Sequence, residues 1–296
     1  MDSNPGGTLP FEPGRCAAAN RDLGEIGASQ AAASMASFVE RRKDGTLSMP
    51  TLTDTMKNEY VKRVLRTTGV RPPQQMPRRD TPHYRMPKLE ANGGWLALEP
   101  YRGPEIPREE YESLEYTTYP TDQHTYFAPI TSASGQIELG AFGKFGKSDL
   151  DREWTPNAEK CPTIIKWLES VGARFGKVQL LRMSPNTLRE CRWGLHLDNN
   201  NNGNPESNGW AVRVWHELTD DKSSRLVVRQ DEFDKNSEVQ IPLPQHAQVV
   251  VDSQWLYHGG YHQGTHTRYA MISTFESGPE LERWIDSQLP SSVAAA

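Results

Sequence analysis

The stretch VVVDSQWLYHGGYHQGTHTRYAMISTF, residues 249–275, decides the fold. It opens on a β-branched apolar run, breaks at Asp-Ser, resumes as a short apolar run that ends at His258, and passes through a Gly- and His-rich turn. It closes on RYAMISTF, which begins at Arg268. Short apolar or alternating runs bounded by Gly, Asp and Ser read as β-strands. His258 and His262 stand four apart, a spacing that on a helix would make a zinc pair, but HGGYHQG holds three glycines in seven residues and is a poor helix. His258 is therefore read at the end of a strand, with Arg268 opening the next one ten residues later.

The same pattern extends toward the N-terminus. VQLLRM, ECRWGLHL, WAVRVWHEL, SRLVVRQ, EVQIPL and AQVVVDS follow one another at close intervals, separated by Pro, Asn, Asp, Ser or Gly clusters. Such a series predicts a mainly β fold, a sandwich or jelly-roll. Helices flank it. In CPTIIKWLESVG, Pro162 suits a first turn and Gly172 a C-terminal stop. SGPELERWIDSQL begins with a Ser-x-x-Glu capping box and carries Leu281, Trp284, Ile285 and Leu289 on one face. TLTDTMKNEYVKRVLRTTG aligns Leu52, Met56, Tyr60, Val61, Val64 and Leu65 at helical spacing. Residues 72–107 are proline-rich and read as an irregular connection anchored by Trp95 and Tyr101. The expected organisation is a flexible N-terminus over 1–25, a helical and irregular region over 26–160 that packs on the core, and a jelly-roll with a C-terminal helix over 161–290.

Composition sets the outer limits. With 296 residues, 35% apolar content and a net charge of −5, the chain is long enough for one large domain or one domain with an appended region. No run of about 18 apolar residues occurs, and MDSNPGGTLPFEPGR lacks the basic and apolar parts of a secretory signal, so the expected location is the cytoplasm, with no membrane partner. Cys16, Cys161 and Cys191 are widely spaced and read as reduced thiols. The acidic balance argues against a nucleic-acid partner. Residues 41–80 are locally basic, with ten Lys or Arg against four acids, and read either as a solvated helix face beside a linker or as a basic arm that meets an anionic partner, the first being favoured.

A second stretch supplies the chemistry. In GLHLDNNNN, residues 194–202, His196 and Asp198 are two apart, so on an extended chain both point to one side. Two imidazoles and a carboxylate form a facial set for a divalent metal when a distant strand delivers the third ligand. His258 is the candidate. On the neighbouring antiparallel strand, Arg268 returns toward the same interior, where a guanidinium can grip a carboxylate with two parallel hydrogen bonds. Arg182 and Arg192 are placed on strands before the metal pair, where each could meet a substrate carboxylate or form an ordinary salt bridge.

His196, Asp198, His258 and Arg268 together resemble the Fe(II)- and 2-oxoglutarate-dependent dioxygenases, whose pattern is His-x-Asp, a distant His, and an Arg about ten residues after it. The resemblance spans roughly residues 175–277. More narrowly, VQLLRMSPNTLRECRWGLHLD, RVWHEL and VVVDSQWLYHGGYHQGTHTRYAMIS look like the aspartyl/asparaginyl β-hydroxylase branch. The resemblance implies a double-stranded β-helix fold, with His196, Asp198 and His258 as iron ligands and catalytic centre. It implies Arg268 on the distal carboxylate of 2-oxoglutarate, dioxygen as oxidant, and hydroxylation of a free, carrier-bound or peptidyl amino acid. It also casts Arg213 and His216 as co-substrate contacts, although Arg213-Val214-Trp215-His216 departs by one residue from the branch's Arg-x-His. The presence of Asp198 favours hydroxylation over halogenation. The competing expectation is a non-catalytic, cupin-like jelly-roll that merely binds a metal.

Overall fold

The computed structural model describes residues 86–119, 124–139, 142–198, 200–201, 210–232 and 234–289. The N-terminal 1–25, the basic stretch 41–80 with its expected helix, residues 202–209 of the Asn-rich loop, and the tail 291–296 lie outside them. Five α-helices are described: α1 (Pro87–Ala91), α2 (Glu109–Glu112), α3 (Pro162–Ser170), α4 (Leu188–Trp193) and α5 (Pro279–Gln288). The strands are β1 (Trp95–Ala97), β2 (Thr125–Pro129), β3 (Thr131–Ser132), β4 (Glu153–Trp154), β5 (Phe175–Met183), β6 (Ala211–Glu217), β7 (Arg225–Arg229), β8 (Val239–Pro242), β9 (Gln248–Val251), β10 (Tyr257–Tyr261) and β11 (Arg268–Glu276).

A large antiparallel sheet runs in the order β1-β9-β6-β11-β5-β2, and a small one in the order β10-β7-β8. A backbone bridge between His196 and His258 adds the 196 segment to the free side of β10. From β5 onward the chain therefore passes back and forth between the sheets: large at β5, small at 196, large at β6, small at β7 and β8, large at β9, small at β10, large at β11. That winding is the double-stranded β-helix, mainly β with flanking helices.

All seven residues of β6 are buried, because both faces of the large sheet are covered. On the outer face Val212, Val214, Met271 and Phe275 pack under Ile164, Trp167 and Leu168 of α3 and Leu281 and Ile285 of α5. On the inner face Leu181, Trp215, Val249, Ala270 and Ile272 meet Leu226, Val228 and Ile241 of the small sheet. The period of two thus splits β6 cleanly: Val212, Val214 and His216 point out, whereas Arg213, Trp215 and Glu217 point into the space between the sheets.

Four local expectations change. ECRWGLHL does not form a strand: Thr187 caps α4 in a reciprocal box with Glu190, and the chain becomes extended only at His196. Gly278, rather than Ser277, stands at the N-cap of α5, and Ser277 Oγ accepts the Trp210 backbone N–H instead. The stretch 72–107 is partly ordered as sheet, since β1 extends the large sheet through β9, while Tyr101 packs on the His216 ring. His258 lies inside β10, which continues through Gly259 and Gly260. The glycines answer to space: a Cβ on Gly259 would stand 3.3 Å from the Cys191 carbonyl and sulfur and from Leu195 Cδ2. Cys161 and Cys191 are buried free thiols. Among the described residues, no helix is long and apolar enough to cross a membrane.

Gly259→Ala should lower stability by about 1–3 kcal/mol through overpacking of β10 against α4. Urea unfolding checks this; an unchanged midpoint would mean that the α4–β10 approach is loose.

Candidate metal centre

His196 and His258 face each other across the bridge, with backbone N–H···O contacts of 3.2 and 3.0 Å and ring centroids 4.5 Å apart. Asp198, two residues further along the same extended segment, is fixed by its own N–H on Ser253 O at 2.9 Å. His196 Nε2 lies 3.8 Å from Asp198 Oδ1, and His258 Nε2 lies 3.7 Å from Asp198 Oδ2. Ligands bonded to one metal at about 2.1 Å lie about 3–4 Å apart. One ligand atom from each side chain lies within 4.8 Å of the other two, so the three converge on the place of a single ion.

The tautomers fit too. His196 Nδ1 lies 2.9 Å from Gly194 O and His258 Nδ1 lies 3.1 Å from Leu256 O. A ring that donates its Nδ1 proton to a backbone carbonyl presents the Nε2 lone pair. Burial, with the neighbouring His196 adding to it, pushes the His258 pKa down to about 4, which keeps that imidazole neutral. Burial acts to raise the Asp198 pKa, but Arg213 and the two histidines hold it well below the usual carboxylate range. The side chain of His196 is 59% exposed, that of Asp198 22% and that of His258 6%, so among the described residues one side of the centre is open.

Arg213 comes to this site, but as a support for a ligand. Its Nε donates to Asp198 Oδ2 at 3.1 Å, its Nη1 to Thr274 Oγ1 at 2.6 Å, and its Nη2 to Asn200 Oδ1 at 2.8 Å and Asp149 Oδ2 at 3.4 Å. Those bonds engage the whole guanidinium. His216 does not come to the site at all. It is fully buried on the outer face between Tyr101 and Trp167, with centroids 4.9 and 5.3 Å away, and burial pushes its pKa down to about 3. The one-residue departure from Arg-x-His explains this: on a strand, position 216 has the opposite parity to 213 and faces the helices. Arg182 also points outward, over the rings of Tyr116 and Tyr126, and Arg192 sits on α4 rather than on a strand, bound to Glu238.

Arg268 is on the inner face, as its parity requires, but its fork is already filled. Glu217 accepts from Arg268 Nε at 3.0 Å and from Nη2 at 2.8 Å, with both residues fully buried. Burial pushes the Glu217 carboxyl up to about 7, against the pull of Arg268. Only Nη1 is loosely held, 3.4 Å from Tyr261 O and 3.9 Å from Met183 Sδ. Beside it a Cβ on Gly260 would come to 3.4 Å, and the buried indole nitrogen of Trp215, whose ring lies under the guanidinium, has no hydrogen-bond partner among the described residues. Sequence reading overlooked Glu217, although its parity with Arg213 and Trp215 was a signal that it faces inward. It also overlooked Asp149, whose long separation from Arg213 left no local signal.

No protein-family model matches the chain, and no curated protein matches it. Several solved structures are similar in shape. An oxidoreductase of the 2OG-Fe(II) oxygenase family from Burkholderia pseudomallei aligns at 13% identity over 66% of this chain and 93% of that one, with a TM-score of 0.42. A prolyl hydroxylase from Trichoplax adhaerens, in complex with a hypoxia inducible factor oxygen degradation domain peptide fragment, aligns at 14% identity over 79% of this chain and 97% of that one, TM-score 0.37. A Pseudomonas putida prolyl-4-hydroxylase aligns at 13% identity over 64% and 96% of the two chains, TM-score 0.34.

His196→Ala and His258→Ala should each abolish stoichiometric Fe(II) binding, measured by anaerobic titration, with the fold retained by circular dichroism. Retained stoichiometric binding in both would remove them from the metal centre. Arg213→Met should weaken Fe(II) binding about 10- to 100-fold, the range for losing a residue that orients a metal ligand.

Proposed function

We propose that this chain is an Fe(II)- and 2-oxoglutarate-dependent dioxygenase that hydroxylates a C–H bond of a free, carrier-bound or peptidyl amino acid. One observation carries the reading: two imidazoles with Nδ1 tied to backbone carbonyls and a carboxylate held by Arg213, converging on one point with an open face. A closed structural site would use four protein ligands; the described residues offer three, a face that leaves positions for other molecules. Bound iron, with 2-oxoglutarate and dioxygen, supplies the oxidising chemistry, which yields succinate, carbon dioxide and a hydroxylated product. The chain's own residues hold, orient and exclude water. His196, Asp198 and His258 are the proposed iron ligands. Arg213 fixes the Asp198 carboxylate. Arg268 Nη1 and the Trp215 N–H, with the room left by Gly260, are the proposed contacts for the distal carboxylate of the co-substrate, between the metal and the deep end of the inner face.

The aspartyl/asparaginyl β-hydroxylase branch is proposed on the sequence segments alone. A second reading, a non-catalytic metal-binding jelly-roll, draws support from Glu217, because a clamp already satisfied by an internal carboxylate has less to offer a co-substrate. The experiment that separates the two is anaerobic addition of Fe(II) and 2-oxoglutarate. A visible charge-transfer band, followed in air by succinate formation stimulated by amino acids or peptides, supports the dioxygenase; its absence, with iron bound, supports the module.

Arg268 alone is a poor target, since removing it strands the buried Glu217 charge at a cost of about 3–5 kcal/mol. The paired variant Glu217→Gln/Arg268→Gln removes both charges together. It should keep the fold and raise the apparent KM for 2-oxoglutarate about 10- to 100-fold, as expected for losing a charge-assisted hydrogen bond. A wild-type KM would take Arg268 out of co-substrate binding.

A further inference from the structure

The large sheet carries a third inward-facing cation, Lys177, that neither the metal centre nor the proposed co-substrate contacts use. It lies on β5 two residues before Gln179, which pairs with Ile272 on the inner face, and it sits where the β11–β5 ladder shifts register between Ser273 and Phe275. Its ammonium is close enough to Asp149 and Asp198 to be stabilised by both and to Arg213 to be repelled by it. Its backbone N–H donates to Asp149 O at 2.7 Å, and it lies opposite the stretch of β11 that holds Thr274, the register partner and hydrogen-bond acceptor of Arg213, which places it at the metal end of the space between the sheets. Yet the half-buried side chain has no hydrogen bond and no ion pair among the described residues. Burial, more than the repulsion from Arg213, lowers its pKa. Gln179 beside it is also buried, and its side-chain amide is unbonded among the described residues.

Among the described residues, two neighbouring arginines are engaged through other contacts. Arg213 is tied to Asp198, Thr274, Asn200 and Asp149. Arg152 lies 3.7 Å over the Phe175 ring and donates to Phe175 O. Arg268 is at the other end, paired in register with Met183. Lys177 and Met183 are six residues apart on one strand, about 20 Å at the usual rise, so Lys177 and Arg268 cannot hold the same small carboxylate. Asp149 and Asp198 act on this ammonium only from a distance; a partly desolvated ammonium with no carboxylate in direct contact among the described residues is unfavourable, and an anion brought to it restores what burial removed. With the deep end taken by the co-substrate, the group that reaches Lys177 belongs to the other molecule in the site.

We propose that Lys177, assisted by the amide of Gln179, anchors a carboxylate of the substrate, so that the site selects an acidic substrate held beside the metal at the open side. This rests on the dioxygenase reading above. The anchor acts through charge and a donor pair rather than through shape, so it distinguishes a free acid from the corresponding carboxamide.

The test uses the whole chain with Fe(II), ascorbate and 2-oxoglutarate, and a panel of N-acetyl amino acids paired with their C-terminal carboxamides. Substrate-stimulated succinate formation is the readout. The parent should favour the acids, and Lys177→Gln should reduce the acid-to-amide ratio on the order of tenfold or more, with Lys177→Arg retaining part of it. Gln179→Leu leaves the charge in place and should reduce the ratio to a lesser extent, which provides a second measurement should Lys177→Gln misfold. A parent that uses amides as readily as acids, or responds to neither, overturns the anchor, as does an unchanged ratio in both variants. A parent without the Fe(II)–2-oxoglutarate charge-transfer band overturns the dioxygenase reading and the anchor with it; a band accompanied by an unselective panel overturns the anchor alone.

Discussion

The backbone bridge between His196 and His258 is the contact on which the centre depends. It joins a segment that is helical up to Trp193 to the free side of β10, and it sets two imidazoles across from each other. Asp198 then falls on the same side as His196, because the chain stays extended for two more residues and its N–H is bound by Ser253. The two carbonyls that receive the Nδ1 protons, Gly194 and Leu256, belong to the residues two before each histidine, so the tautomer is set by the same local backbone that positions the ring.

Charge is buried at both ends of the inner face, and each end is arranged differently. At the metal end Arg213 meets two carboxylates, a hydroxyl and an amide, so that its donors are satisfied and Asp198 is held ionised. At the deep end Arg268 meets Glu217 alone, in a pair from which water is excluded. Breaking a pair of the second kind by removing one partner is far more costly than replacing both, because the remaining charge has no solvent to turn to. The deep pair consequently constrains the chain's structure, and Nη1 is the part of the guanidinium that Glu217 does not engage.

Much of this was legible in the sequence. The strand series from β5 to β11, the flanking helices α3 and α5, and the common side of His196 and Asp198 follow from short-range signals: alternation, turn residues and the two-residue spacing of like-facing side chains on a strand. These are properties of neighbouring residues, and the chain encodes them locally. The switch from strand to helix at Leu188–Trp193 was encoded locally as well, in the Thr187–Glu190 box, but an apolar run of that length suits either state and the box decides only when the turn forms.

What the tertiary structure alone decided is which charge meets which. Nothing near Arg268 in the chain indicates that Glu217, 51 residues earlier, occupies its fork. Nothing near Arg213 indicates Asp149, 64 residues earlier. His216 and Glu217 are adjacent in sequence and lie on opposite faces of one strand, the first against helices and the second against a guanidinium. The sequence by itself determines the period of two and hence which residues share a face. Which face meets the metal, and which partner neutralises each buried charge, depends on strand order and on the two sheets closing over one another, and that is a property of the whole chain.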